Sequence, residues 1–204
     1  MSKVLVTESY LTDIGNAIRY KNGSTSQYKP SEMAGAINDI PTQGSQDNTV
    51  INSILDRSIS GNYVNDDLTE IGRYAFDFCA QLTSATFTKV TKIEGSAFSD
   101  CRSLESISLP EVKEIEQSAF AYCSSLMSIS MPKIEVLSSD NSYWGIFDYC
   151  GMTTINIPST IQSIGKNAFE SSKITTINID RAANSISGAP WGASGATVNW
   201  TGTN

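Results

Sequence analysis

The sequence of 204 residues contains no histidine. Histidine is the commonest general base and the commonest metal ligand, so its absence excludes His-based triads and most metal centres. Gly-x-Ser-x-Gly, P-loop and Gly-x-Gly-x-x-Gly motifs are missing too. No pair of cysteines has the Cys-x-x-Cys spacing of a zinc site. We therefore expect no catalytic residue, no metal and no cofactor, and a protein that is not an enzyme.

Positive charge is scarce. Lys and Arg number 14 against 21 Asp and Glu, a net charge of -7, which disfavours nucleic acid and anionic membrane surfaces as partners. No apolar run approaches the roughly 18 residues of a membrane span, so we expect no membrane insertion. The first apolar run, Val4 to Val6, is too short for a signal peptide. We therefore expect a chain that does not use the general secretory route.

A repeat fills the last two thirds of the chain. Its units include "LTEIGRYAFDFCAQLTSATFTKV" from Leu68 and "VTKIEGSAFSDCRSLESISLPEV" from Val90. Successive anchor positions are 22 residues apart, except for one step of 27. They are Ile71, Ile93, Ile115, Leu137, Ile164 and Ile186. A fixed period in the twenties with this apolar skeleton is typical of a leucine-rich repeat.

Each unit predicts a short strand followed by a short helical turn. In "LESISLP" the side chains of Leu104, Ile107 and Leu109 point inward and Ser106 and Ser108 point outward. The turn that follows buries a second apolar group: Val112, Ile115, Ala119 and Phe120. No unit can bury its apolar side alone. The predicted fold is therefore an α/β repeat solenoid with units of about 22 residues.

Cysteine recurs once per unit, at Cys79, Cys101, Cys123 and Cys150, and the fifth unit has Ser172 there. Free cysteine behaves as a small hydrophobic residue. Equivalent side chains of stacked turns run parallel, which suits a disulfide poorly. The pattern therefore favours buried thiols over disulfides or a metal site.

The pattern "IGxxAFxxCxxLxxIxLPxxV" resembles the BspA-type leucine-rich repeats, which are common in bacterial surface proteins and in phages of Gram-positive bacteria. The resemblance covers about residues 68–200. It implies an adhesive or ligand-binding surface. We place the N-terminal cap of the solenoid at residues 46–67 and the solenoid with its C-terminal cap at 68–204. In that C-terminal cap, Trp191 and Trp200 are expected to close the core.

Residues 1–45 predict a separate two-helix module and a linker. Helical spacing and N-cap signals define the two short helices, which end near Gly23 and Pro41. "LTDIGNAIRYKNGSTSQYKPSEMAGAINDI" resembles a segment of phage and prophage tail or baseplate proteins of Gram-positive bacteria, which implies attachment to a particle. The candidate assembly residues are Tyr10, Leu11, Ile14, Ile18, Met33 and Ile37.

Two surfaces are candidates for receptor contact. One is the insertion "SSDNSYWGIFDYC" of the fourth unit, where Tyr143 and Trp144 are of the types enriched at binding hot spots. The alternative is that this loop only folds its aromatic rings over the solenoid. The other surface is the outward polar face of the strands: Ser106, Ser108, Ser128, Ser130, Thr154, Asn156, Thr176 and Asn178. The alternative there is a solvated face that only prevents aggregation.

A recurring aromatic stripe is not counted as a candidate surface. It consists of Phe78, Tyr122 and Tyr149 and is interpreted as packing on the flank of the solenoid.

The two resemblances imply a phage or prophage virion protein of the tail or baseplate. It would be made in the bacterial cytoplasm without a signal peptide. Residues 1–45 would bind other virion proteins, and the solenoid would bind a host cell-surface glycan or protein. A homo-oligomer is expected, and a trimer is a guess from tail-fibre analogy. The alternatives are a capsid or neck decoration protein without a receptor, and a bacterial cell-surface adhesin.

Overall fold

The computed structural model describes residues 3–5, 57–139 and 144–202. In these residues the chain forms a β-solenoid of short strands. The strands are β1 (Lys3–Leu5), β2 (Ser60–Asn65), β3 (Leu68–Ile71), β4 (Gln81–Phe87), β5 (Lys92–Ile93), β6 (Ser106–Ser108), β7 (Glu114–Ile115), β8 (Ser128–Ser130), β9 (Val136–Leu137), β10 (Thr154–Ile157), β11 (Ser163–Ile164), β12 (Thr176–Ile179) and β13 (Thr197–Trp200).

Two sides of the solenoid are parallel sheets. Sheet A has six strands in the order β1-β3-β5-β7-β9-β11. The opposite strands form sheet B, β2-β4-β6-β8, and sheet C, β10-β12-β13. Residues one repeat apart are register partners, as Ile93 and Ile115 are in sheet A. The repeat period thus sets the register, because one full turn of the chain returns each residue to the same place in the next layer.

The predicted helical turn of each unit is wrong for the described residues, where this segment forms non-helical turns. Its first copy has left-handed backbone at Tyr74 (φ 61°) and Phe78 (φ 59°). Two left-handed residues so close together prevent a helix from propagating. The N–H of Phe76 instead donates to the carbonyl of Ala97 in the next turn, at 2.7 Å. Bonds between layers therefore replace the bonds within a helix.

A column of phenylalanine rings runs through the core. Phe76 and Phe98 stack with centroids 4.9 Å apart, and Phe98 and Phe120 with centroids 5.3 Å apart. The column continues through Phe147, Phe169 and Trp191. All six rings are fully buried. Burial of rings this large is a major stabilising contribution in each layer.

A ladder of free thiols lies beside this column, which confirms the prediction of buried cysteines. Cys79, Cys101, Cys123 and Cys150 are all free and buried. The Sγ of Cys123 donates to the carbonyl of Phe98 in the preceding turn at 3.1 Å, and Cys101 and Cys150 bond in the same way. Each of these three thiols is therefore a weak donor between layers as well as a packing residue.

The two ends of the solenoid are built differently. β1 pairs with β3 at one edge of sheet A, and β2 begins sheet B beside β4. Ile59 and Tyr63 are buried at this end. At the other end Trp200 is partly buried and its ring lies 6.1 Å from that of Trp191. The predicted closure of the core by these two tryptophans is confirmed. The two predicted helices lie outside the described residues. The separate module was predicted to begin at residue 1, but Lys3–Leu5 belong to sheet A of the solenoid, because they pair with β3.

Candidate binding surfaces

The polar face of sheets B and C carries the strand residues singled out in the sequence. Their side chains alternate with apolar ones, which are buried in β6, β10 and β12 and partly exposed at Ile129 in β8. Partners in successive strands of each sheet line up one repeat apart. The structure divides them between the two sheets. Sheet B holds Ser106, Ser108, Ser128 and Ser130, and sheet C holds Thr154, Asn156, Thr176 and Asn178.

An asparagine ladder crosses sheet C. The Nδ2 of Asn178 donates to the Oδ1 of Asn156 at 2.8 Å, and the Nδ2 of Asn199 donates to the Oδ1 of Asn178 at 2.9 Å. Each amide in such a row fixes the orientation of the next. The N–H groups and oxygen lone pairs that the row does not use stay available to a ligand. This side of the sheet therefore presents polar groups in a fixed arrangement. Asn199 was not singled out in the sequence, although it stands in register with Asn178.

A break separates β8 from β10. The path from Cys150 to Ile155 is one residue shorter than the equivalent path from Cys123 to Ile129. Gly151 makes this short path possible, because a Cβ there would lie 2.6 Å from the Ser124 carbonyl oxygen. No ladder joins β8 to β10 among the described strands. One deleted residue in the fourth unit thus interrupts the sheet.

Two depressions lie on the polar face. The first, of about 370 Å³, covers sheet B and is lined by residues that include Asn62, Ser84, Thr86 and Ser106. The second, of about 340 Å³, lies at the break, and we refer to it as the cleft. The residues that line the cleft are Ile129, Ser130, Met131, Pro132, Asn156, Ile157, Pro158, Asn178, Asp180 and Thr201.

The insertion presents aromatic rings beside the turns. The side chain of Trp144 is 43% exposed, and its carbonyl accepts a hydrogen bond from the Ser139 hydroxyl at 3.0 Å. Its ring lies 6.4 Å from that of Tyr122, which stacks on Tyr149 with centroids 5.0 Å apart. We refer to Tyr122, Trp144 and Tyr149 as the aromatic patch. Tyr143, the other candidate of the insertion, lies outside the described residues.

The aromatic stripe interpreted as flank packing is partly buried at Tyr122, which stacks on Tyr149, and exposed at its other two residues. Phe78 is 51% and Tyr149 52% exposed, and both have left-handed backbone that turns the side chain away from the core. Met127, 65% exposed, lies near Gly151 and extends the apolar surface. The sequence signal was the recurrence of aromatic residues one position before the cysteine. That position has left-handed backbone in a non-helical turn, and neither Phe nor Tyr signals such a conformation strongly, so the recurrence alone did not reveal the exposure.

A buried carboxylate lies beneath the aromatic patch. Asp148 is 1% exposed, and its Oδ1 accepts a hydrogen bond from the N–H of Gly145 at 2.9 Å. Burial raises the pKa of Asp148 to about 6, the Gly145 hydrogen bond lowers it and the nearby Glu170 raises it. This carboxylate ties the returning end of the insertion to the solenoid, and its contact partners indicate a structural role.

Sheet A carries charges that are already paired. The Nζ of Lys92 lies 2.8 Å from the Oε1 of Glu116, and the guanidinium of Arg73 lies 3.6 Å from the Oε2 of the same carboxylate. Lys113 and Glu135 form a further pair at 2.9 Å. Because these charged side chains are already paired with each other, sheet A offers a ligand fewer unpaired polar groups than sheets B and C.

Among the described residues, no group of His, Cys, Asp and Glu is placed to hold a metal ion. The ladder thiols are buried, and burial raises the pKa of Cys123 well above its usual value, which disfavours the reactive thiolate. The described residues form no helix that is long and apolar enough to cross a membrane. The candidate assembly residues Tyr10, Leu11, Ile14, Ile18, Met33 and Ile37 lie outside the described residues.

Solved structures of three leucine-rich repeat proteins are among those that this chain resembles. A leucine-rich repeat protein of T. pallidum is 21% identical over 70% of each chain, with a TM-score of 0.57. A leucine-rich repeat protein of Bacteroides ovatus is 23% identical over 56% of this chain and 36% of that one, with a TM-score of 0.45. A leucine-rich cell surface protein of Faecalibacterium prausnitzii is 21% identical over 58% and 47%, with a TM-score of 0.35. The first of these shows a shared fold.

No curated protein matches the sequence significantly. The family model of the BspA type leucine rich repeat region matches residues 56–144 and 141–190, in six copies. These matches cover more than half of the chain and include all five phenylalanines of the core column. They also include the four cysteines of the ladder. The chain therefore belongs to the BspA-type leucine-rich-repeat family.

Proposed function

We propose that this chain is a non-enzymatic attachment protein of a phage or prophage particle, a tail or baseplate component whose repeat surface binds a host cell. The observation that carries the attachment role is the aromatic patch. Tyr and Trp are enriched in binding interfaces, particularly at the residues that contribute most of the binding energy.

The form of the patch supports a contact role. Trp144 lies in the insertion of the fourth unit, which the regular units lack, so the repeat does not dictate its position. Ser139 and Asp148 hold the returning end of the insertion through bonds to Trp144 and Gly145. A ring held on a rigid solenoid loses little conformational freedom when it binds, which favours affinity.

The virion assignment rests on the N-terminal segment. Its similarity to tail and baseplate proteins favours a particle component over a free adhesin or a decoration protein. Residues 6–59 connect β1 to β2, two strands at the same end of the solenoid. An attachment module there would bind the particle near one end and leave the aromatic patch, four turns further along, accessible to a host.

Cell binding tests the attachment role. The full chain, fluorescently labelled, is titrated onto candidate Gram-positive cells, and bound fluorescence is read by flow cytometry. We expect saturable binding that a Trp144→Ala/Tyr149→Ala variant weakens at least about tenfold, since interface aromatics often contribute about 2 kcal/mol or more. Phe78→Ala is the matched control, because Phe78 has the same exposure and repeat position as Tyr149. Equal binding by all three proteins would exclude the patch as the contact surface.

Particle incorporation tests the assembly role. Residues 10–41 are replaced by a Gly/Ser linker of equal length, which leaves β1 in place, and particles are purified from an induced lysogen. Mass spectrometry is expected to detect the native chain in purified particles and not to detect the variant there. Incorporation of the variant at the native level, or absence of the native chain from particles, would contradict the proposal.

A further inference from the structure

We propose that the cleft between β8 and β10 binds one neutral sugar residue, an uncharged pyranose ring with adjacent hydroxyl groups. This inference rests on the proposed attachment function and names a ligand class for it. The cleft is separate from the aromatic patch, and the two sites are tested with different variants.

The break in the sheet gives the cleft an apolar floor. Ile129 is partly exposed, whereas Ile107 and Ile177, which stand at the same position of intact strands, are buried. Pro132 and Pro158 add rigid apolar surface at the edge of the cleft. The carbon-bound hydrogens of a pyranose ring can pack against such a surface, so the floor suits one face of a sugar.

The rim supplies hydrogen-bonding groups for sugar hydroxyls. No hydrogen bond or ion pair engages the Asp180 carboxylate within the described part of the chain, so both of its oxygens can accept hydroxyl protons. The asparagine ladder orients Asn156 and Asn178 and leaves amide hydrogens free on both. A carboxylate beside two oriented amides offers the combined acceptors and donors that adjacent hydroxyls need.

Size and charge narrow the ligand class. A volume of about 340 Å³ is at the lower end of ligand sites and suits one small ring. The lining has one carboxylate and no basic side chain, which disfavours acidic sugars and phosphates. An uncharged sugar residue fits both constraints.

Methyl NMR on the full chain tests this inference. The protein, labelled at the methyl groups of isoleucine and methionine, is titrated separately with N-acetylglucosamine, glucose, galactose, rhamnose and galacturonic acid. We expect at least one neutral sugar to shift the methyl signals of Ile129, Met131 and Ile157 saturably. The signals of Ile93 and Ile115 in sheet A serve as internal controls and are expected to stay in place. Galacturonic acid is expected to cause no shift.

Two charge variants complete the test. Asp180→Asn is expected to weaken sugar binding at least about tenfold, because hydrogen bonds to charged groups contribute about 1.5–3 kcal/mol. Glu105→Gln makes the same charge change on an exposed residue outside the cleft and is expected to bind normally. If none of the neutral sugars causes a saturable shift, the inference is overturned. Equal binding of galacturonic acid, or unchanged affinity in Asp180→Asn, would overturn it too.

The outcomes separate the two proposals. Cell binding without any sugar-induced shift would contradict the proposed sugar site and still support the attachment function. Sugar-induced shifts of the cleft signals without binding to any cell would support the sugar site and contradict the attachment function.

Discussion

Replacement of Asp148 by asparagine is expected to stabilise the protein above pH 6. Asp148 is 1% exposed, and burial raises its pKa from 3.8 to about 6. One pKa unit corresponds to about 1.4 kcal/mol, so the charged form costs the folded state up to about 3 kcal/mol. The side-chain amide of the variant keeps an oxygen that can accept the Gly145 N–H but carries no charge. Asp148→Asn therefore removes a penalty and preserves the contact.

The sign of the pH dependence follows from proton binding. Between pH 4 and pH 6 the folded state holds a proton on Asp148 that the unfolded state has already released. Stability therefore falls as pH rises through this window, and the penalty is fully present above pH 6. Asp77, whose pKa burial also raises to about 6, adds a dependence of the same sign. The variant removes only the contribution of Asp148.

Urea denaturation of both proteins at several pH values from 4 to 8, followed by circular dichroism, measures this difference. We expect the variant and the native chain to be equally stable near pH 4 and the variant to gain up to about 3 kcal/mol by pH 7. Asp180→Asn, at an exposed carboxylate, is the control and is expected to show no such gain. A difference that is constant with pH, or a variant less stable than the native chain at pH 7, would refute the reasoning.

Two further predictions concern the core. Gly151→Ala is expected to destabilise the protein by about 1–3 kcal/mol in urea denaturation, because its Cβ would lie 2.6 Å from the Ser124 carbonyl oxygen. Gly95→Ala, whose Cβ would meet its nearest atom at 3.3 Å, is the control, and an equal loss in both would contradict the explanation. The four ladder thiols are expected to resist Ellman's reagent in the native protein and to react fully in denaturant, because all are buried. A thiol that reacts fast in the native protein would contradict the burial of all four cysteines in the ladder.

The regular regions of the fold were predictable from sequence because the same local pattern occurs several times. Anchors such as Ile71 and Ile93 stand one period apart, and each copy of the pattern supports the interpretation of the others. The structure places these two residues as register partners in adjacent strands. Inward leucines and outward serines followed from alternation within the strands, and buried cysteines followed from their recurrence once per unit.

The helical turn was mispredicted because apolar spacing alone does not distinguish a short helix from a compact turn. The segment from Ile115 to Cys123 has apolar residues at intervals that fit either structure. Left-handed backbone at Ser118 and Tyr122 selects the turn, and neither residue type signals such a conformation strongly. Bonds to the adjacent layer, such as that from Phe120 to Ile146, become available only when the turns stack.

The candidate surfaces were only partly visible in the sequence. Alternation identified the polar strand face, and the irregular step identified the insertion that ends at Trp144. The cleft was missed because it arises from one deleted residue between Cys150 and Ile155. The deletion separates β8 from β10, and this effect appears only when neighbouring turns are placed side by side.

The amino-acid sequence by itself determined the repeat period, the family, the inward and outward faces of the strands and the burial of the thiols. These properties depend on residue type and spacing within a single unit, which a linear pattern records. The tertiary structure decided the turn conformation, the exposure of Tyr149, the break in the sheet and the raised pKa of Asp148. Each of these depends on contacts between different turns, and such contacts exist only after the chain has stacked.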